Sequence, residues 1–241
     1  MSENIIAGDP CVAKRQKNGK NRRFFCLLLS FLLVACGAEN APNRAPSALP
    51  AGLVIYLDAG HGDFDLGAVG VTADGEEIAE KDLALAVALR TADLLREQGH
   101  TVILSREDDT RLTYTNARDE ILARRAAAVK AKADLLLSIH ANAYRGAGRA
   151  YGPRVYYHPD NAAGAALAER LSLAVSEHTG GFIGRKCRSV ADGSYLILGD
   201  LTTPALIFEV GFITDKEELS LLLSPDYQVR LSRAVADALR T

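Results

Sequence analysis

Cysteine is scarce, positive charge is not in excess, and no apolar run is long enough to cross a bilayer. The chain has 241 residues and four cysteines, Cys11, Cys26, Cys36 and Cys187. Its formal charge is −2, which removes the electrostatic footprint of a nucleic-acid-binding protein. The main apolar run, residues 24–35, is 12 residues long, whereas a spanning helix needs about 20. No internal repeat is present. What remains is a chain 48% hydrophobic, enough for one well-packed domain with something appended.

The appended part comes first. Lys14, Arg15, Lys17, Lys20, Arg22 and Arg23 precede the apolar run, as in a secretory signal peptide. The run ends in Leu33-Val34-Ala35-Cys36, which resembles the bacterial lipobox, where the signal is cut and the cysteine is lipidated. Residues 1–35 therefore read as a lipoprotein signal, with an uncleaved leader or a buried helix as the plain alternative. Residues 36–51 carry Pro42, Pro46 and Pro50 and no apolar periodicity, so they read as the lipidated Cys36 and a flexible tether. Cys11 and Cys26 would leave with the signal, so Cys187 alone remains and no intrachain disulfide is expected. A single thiol of this kind reads as packed rather than nucleophilic. The leader holds six Lys/Arg and two Asp/Glu. The mature part thus keeps 22 of 28 basic and 28 of 30 acidic residues, a balance of −6 that favours no membrane contact beyond the lipid.

From residue 52 to 241 strand-like and helix-like signals alternate. Strands are predicted at 53–58, 101–105, 135–140, 153–157, 194–198 and 205–210. Helices are predicted at 78–98, stopping at Gly99, and at 116–132. A third carries the stripe Ala163, Ala166, Leu167, Leu171, Ala174 and Val175, with Asp160 ahead and Gly180-Gly181 behind. Thr214-Asp215-Lys216-Glu217 has the form of a capping box, and Ser224-Pro225 opens the last helix. This order predicts a single three-layer α/β domain, a mostly parallel sheet of about six strands with helices on both faces.

Three predicted strands end in residues suited to metal chemistry, and adjacent strands of such a sheet deliver their ends to one rim. Val54-Ile55-Tyr56-Leu57-Asp58-Ala59-Gly60 leads to His61, Leu135-Leu136-Leu137-Ser138-Ile139 to His140, and Ala205-Leu206-Ile207-Phe208 to Glu209. Two histidines and a glutamate are the parts of a catalytic zinc centre and its base. Each has a plain alternative: a loop histidine for His61, a satisfied core histidine for His140. Glu209 lies in an apolar segment where an unpaired carboxylate costs several kcal/mol. It needs an ion partner, for which Arg188 or Arg124 would serve, a metal-bound water, or a raised pKa, the last two being what a general base requires. Glu80, in the first turn of a helix, reads on its own first as a residue favoured by the helix dipole and only second as a metal ligand. His100, His158 and His178 share no strand end with these residues.

The segments Leu57-Asp58-Ala59-Gly60-His61-Gly62, Glu80-Lys81-Asp82-Leu83, Leu137-Ser138-Ile139-His140-Ala141-Asn142 and Phe208-Glu209-Val210-Gly211-Phe212-Ile213 resemble the zinc-dependent N-acetylmuramoyl-L-alanine amidases of the type-3 amidase family. The resemblance covers residues 53–240 with the motifs in order. It implies zinc held by His61, Glu80 and His140, with Glu209 as the catalytic glutamate. The implied activity is hydrolysis of the amide between N-acetylmuramic acid and the L-alanine of the peptidoglycan stem. The first loop departs from the family at Asp63 and Leu66, where glycine and proline are commoner, and Thr214-Asp215 replaces a Ser-Asn pair. Glu209 follows His140 by 69 positions, too few for the inhibitory helix inserted in cell-division amidases of this family, so no activator protein is expected. A lipid-anchored enzyme facing the periplasm is implied, and Gly37 after the cysteine favours the outer membrane. Two other readings stay open. One is a non-catalytic, lipid-anchored cell-wall-binding protein; the other is a zinc hydrolase acting on a different cell-wall bond.

Overall fold

A computed structural model describes residues 50, 52–111, 116–147, 150–183, 186–199 and 201–240. The predicted signal peptide, Cys36 and all but the end of the tether lie outside the described residues. The strands are β1 (Val54–Ala59), β2 (Val69–Val71), β3 (Glu77–Ala79), β4 (Thr101–Leu104), β5 (Leu135–Asn142), β6 (Arg154–Tyr157), β7 (Arg188–Ala191) and β8 (Ala205–Phe212). The helices are α1 (Glu80–Glu97), α2 (Ala117–Lys130), α3 (Ala162–Ile183), α4 (Lys216–Leu222) and α5 (Pro225–Leu239). None of the described helices is long and apolar enough to cross a membrane.

Six strands form one sheet in the order β4-β1-β5-β8-β6-β7, while β2 and β3 form a separate ribbon. Every pairing in the large sheet is parallel except β6 with β8. Alternation along the strands divides the core in two. Ile55 and Leu57 of β1, Leu135, Leu137 and Ile139 of β5, and Leu206, Phe208 and Val210 of β8 pack with α1, α3 and α5. Tyr56, Leu136, Tyr156 and Ile207 face the other way, toward Ala128 of α2 and toward Ile197 and Leu198. The three-layer α/β architecture expected from the alternation of elements is the one observed.

Four local expectations are corrected. Residues 194–198 do not form a strand: Tyr195, Ile197 and Leu198 lie in a turn that packs on the sheet. Arg125 donates to the carbonyls of Leu196 and Gly199 there, satisfying backbone that a strand would have paired. The sixth strand is instead β7, an edge in which only Val190 is partly buried, Arg188, Ser189 and Ala191 being exposed. Helix α3 begins behind Asn161, whose side chain accepts from the Gly164 amide, and it continues past Gly180 to Ile183. Ile78 belongs to β3, so α1 opens at Glu80. In α4 the cap is Asp215, accepting from Glu217 and Glu218 amides, while the Thr214 hydroxyl donates to the Tyr144 carbonyl.

On the α2 side of the sheet Asp58 is fully buried, and its carboxylate accepts from the Ser138 hydroxyl at 2.5 Å. Arg124 of α2 reaches the same carboxylate at 3.3 Å, and Glu120 flanks that guanidinium at 3.7 Å. Burial alone would raise the Asp58 pKa. The Arg124 charge and the Ser138 bond outweigh it, so the carboxyl titrates below its ordinary 3.8. A group with a depressed folded-state pKa stabilises the fold above its unfolded-state value and loses that contribution as pH falls. Arg124→Met should therefore cost about 3–5 kcal/mol in urea unfolding at pH 7, the penalty for breaking a buried pair. The gap between variant and wild type should narrow as pH drops below 3.8. A gap independent of pH would contradict the assignment.

Candidate metal centre

The carboxyl ends of β1, β5 and β8 meet at one rim, as their parallel register requires. His61 lies two residues beyond β1, with φ of 63°, an uncommon backbone for a residue with a Cβ. The conformation is held from both sides. Arg106, buried, donates to the carbonyls of Ala59 and Gly60 and to that of Lys81. Lys81 donates in turn to the Asp63 carbonyl at 2.7 Å. Strain of this kind concentrates at working sites.

Glu80 is delivered by the β2–β3 ribbon, which runs straight into α1. The Glu80 amide donates to the Ala68 carbonyl at 2.8 Å, and the Ala68 amide donates back to Glu80 Oε2 at 2.8 Å. The helix has no capping side chain at Ala79, and the Glu80 carboxylate is committed away from the helix dipole. Its Oε1 lies 3.0 Å from His61 Nε2 and 2.8 Å from His140 Nδ1, and it also accepts the Ala141 amide at 3.1 Å. The two imidazoles stand edge to face, His140 Nδ1 being 3.2 Å from His61 Nε2. His61, Glu80 and His140 form the group of metal-ligating side chains found among the described residues.

The electrostatics are those of a cation site. Glu80 is 1% exposed yet held below the usual carboxylate range, because the two imidazoles outweigh its burial. Burial pulls the His61 pKa down, but Glu80 and then Asp65 reverse this and raise it to about 10. Glycines make the close approach feasible. A Cβ on Gly60 would overlap the His140 imidazole, and Gly67, at φ 67°, would place a Cβ 2.6 Å from Glu80 Oε2.

Glu209 sits directly opposite His140 across the β5–β8 pair. It is 4% exposed, and its Oε2 is buried with no hydrogen-bond partner. Neither Arg188 nor Arg124, the partners considered from sequence, forms an ion pair with it. Arg124 serves Asp58, and Arg188 lies two strands away on β7. Burial, and then the Glu80 charge, push the Glu209 carboxyl well above its ordinary value. An orphaned carboxylate beside a His-Glu-His cluster is what a reaction site needs and what a purely structural core avoids.

One residue escaped the sequence reading. Asp65 Oδ2 lies 3.1 Å from His61 Nδ1, fixing the ring so that Nε2 faces Glu80. Burial would raise the Asp65 pKa, but the His61 bond and charge lower it to about 2. The available signal was a carboxylate four positions after a candidate ligand within a glycine-rich turn. Of the remaining histidines, His178 pairs with Asp237 at 2.8 Å, and neither His100 nor His158 joins the cluster. Cys187 is buried, its thiol pushed up to about 12 by desolvation, which bears out a packed thiol.

Residues 55–241 match the family model for N-acetylmuramoyl-L-alanine amidases of the type-3 class. The germination-specific N-acetylmuramoyl-L-alanine amidase of Bacillus subtilis (strain 168) is 32% identical over 228 residues, covering 90% of this chain and 92% of that protein. Among solved structures, the CwlD amidase from Clostridioides difficile in complex with the GerS lipoprotein superposes with a TM-score of 0.68 at 28% identity, over 78% of this chain and 96% of the other. The catalytic domain of CwlV, an N-acetylmuramoyl-L-alanine amidase from Bacillus (Paenibacillus) polymyxa var. colistinus, gives 0.65 at 31% identity, over 78% and 96%.

Two variants test the geometry. Asp65→Asn should weaken metal binding about 10–100-fold in a chelator competition, the usual loss when the partner of a ligating histidine is removed. Gly60→Ala should displace His140 and abolish stoichiometric metal uptake while the fold persists by circular dichroism. Unchanged affinity in both would contradict the site.

Proposed function

The chain belongs to the type-3 family of N-acetylmuramoyl-L-alanine amidases, and we propose that it cleaves the amide between N-acetylmuramic acid and the stem L-alanine using zinc held by His61, Glu80 and His140. The observation that carries this reading is the convergence of two imidazole nitrogens and one buried carboxylate, with an unpartnered glutamate beside them. Two nitrogens and an oxygen suit zinc, which keeps an open position when three protein ligands hold it. Bound there, zinc supplies Lewis acidity, activating water near neutral pH and polarising the amide carbonyl.

The protein's own groups do the rest. Asp65 orients His61, and the Ala68 and Ala141 amides orient Glu80. Glu209 takes a proton from the attacking water and returns it to the leaving nitrogen of L-alanine. Its raised pKa is the direction a general acid–base carboxyl requires. Four filled positions favour an enzyme over a wall-binding protein that merely keeps the fold.

The same reading extends to location and control. Residues 1–35 act as a lipoprotein signal, Cys36 carries the lipid, and residues 36–51 tether a domain spanning 52–241 to the envelope, on the periplasmic side and in the outer membrane. The support is the lipobox-like Leu33-Val34-Ala35-Cys36 and the glycine after it. Activity without an activator is supported by the chain between His140 and Glu209. Its one described helix, α3, packs against α5 on the sheet face opposite Glu209. The related CwlD is seen with a lipoprotein, GerS, so the purified domain must be assayed alone.

Digestion of purified peptidoglycan by that domain should release free L-alanine amino termini without a second protein. New sugar reducing ends, or activity only after another protein is added, would contradict the bond or the control proposed. Glu209→Gln should keep zinc and lose at least about a hundredfold in kcat, whereas His61→Ala should lose the metal itself. A Glu209→Gln enzyme with near-normal turnover would remove Glu209 from the mechanism.

A further inference from the structure

One lateral row of side chains crosses four strands at the rim. His140 of β5 is in register with Glu209 of β8, Glu209 with Arg154 of β6, and Arg154 with Arg188 of β7. Residues in register on neighbouring strands share a face of the sheet. The row therefore runs metal-site histidine, glutamate, arginine, arginine on the side that also carries Asp58, Ser138 and Tyr156. Strands lie about 4.8 Å apart, so the guanidinium-bearing positions stand one and two steps, about 5 and 10 Å, beyond the glutamate.

Two arginines abreast are costly unless something anionic joins them, since like charges directly opposite each other destabilise a sheet. No carboxylate among the described residues forms an ion pair with either. Arg154 Nη1 donates to the Tyr156 hydroxyl at 3.3 Å, and its guanidinium lies 5.0 Å over the Phe212 ring, a placement that fixes the side chain. It forms no hydrogen bond to Glu209, whose Oε2 stays without such a partner, although its charge offsets a little of the rise in the Glu209 pKa that burial and Glu80 cause. Arg188 is exposed, and its backbone amide donates to the Pro153 carbonyl.

We propose that Arg154, assisted by Arg188, is the specificity-determining residue for the peptide side of the substrate, binding the first free carboxylate of an acidic stem peptide. The inference rests on the amidase reading and fixes the substrate's direction: the sugar lies toward β1 and the peptide crosses β6 and β7. A carboxylate carried by the second stem residue lies one Cα step, about 3.8 Å, plus its own bonds past the scissile amide. That matches the first step along the row. A guanidinium suits the task because its fork takes both carboxylate oxygens at once.

The test compares two muropeptides of equal length that differ only in whether the second residue's α-carboxylate is free or converted to its primary amide. Wild type should favour the free acid in kcat/KM by about 10–100-fold, the range for a hydrogen-bonded charged group. Arg154→Gln should bring that ratio close to one, chiefly through KM, and Arg154→Lys should restore part of it. Arg188→Gln, at an exposed position where folding is not at stake, should lower the ratio by a smaller factor. Binding of both ligands to the Glu209→Gln protein, read by calorimetry, should show the same preference. An active wild type that treats acid and amide alike, or an Arg154→Gln variant that loses both equally, overturns the proposal and leaves the amidase reading standing. Arg154-dependent binding of the free acid by a protein that cleaves neither ligand upholds the anion site and overturns the amidase reading instead.

Discussion

The site depends on one constraint: the parallel register that sets β1 beside β5 and β5 beside β8. It places Asp58 against Ser138 and His140 against Glu209, and it leaves all four on the face covered by α2. A shift of one residue in any of these pairs would turn the functional side chains into the opposite core. The apolar residues between them, Leu57, Ile139 and Phe208, are fully buried against α1, α3 and α5, and this is what forbids the shift. Packing on one face thus fixes chemistry on the other.

Around that frame the protein spends buried charge to hold strained backbone. Arg106 donates to the carbonyls of Ala59 and Gly60 at the end of β1 and of Lys81 in α1, Lys81 ties the His61 loop to α1, and the Arg124–Asp58–Ser138 contact anchors α2 beneath the rim. Glu218, also buried, accepts from the Phe212 and Gly152 amides and so joins the end of β8 to the approach of β6. None of these groups reaches Glu209. Its isolation beside a cluster of paired charges is the asymmetry on which a proton-transfer role depends, because pairing it would lower its pKa.

The sequence made the strand ends legible because long apolar runs are interrupted there by single polar residues, as at Ser138-Ile139-His140 and Phe208-Glu209. It misplaced the sixth strand because residues 194–198 are more apolar than β7, and burial of Ile197 and Leu198 needs no strand when Arg125 satisfies the carbonyls. Glu80 could not be separated from a helix-dipole acid by periodicity; resemblance pointed to it, and the β2–β3 ribbon, too short to register as strands, supplies the physical reason. The partnership of Arg124 with Asp58 and the row from His140 to Arg188 were illegible for a different reason. They are relations between residues 34 to 69 positions apart, and no single segment carries a trace of them.

We propose that His61, Glu80 and His140 hold one zinc ion within reach of Glu209. Anomalous X-ray diffraction recorded on both sides of the zinc edge, from crystals of residues 52–241, tests it most directly. A single strong peak is expected about 2.0–2.2 Å from an imidazole nitrogen of each histidine and a carboxylate oxygen of Glu80. A peak bound elsewhere, or none at these three residues in protein that retains amidase activity, would contradict it.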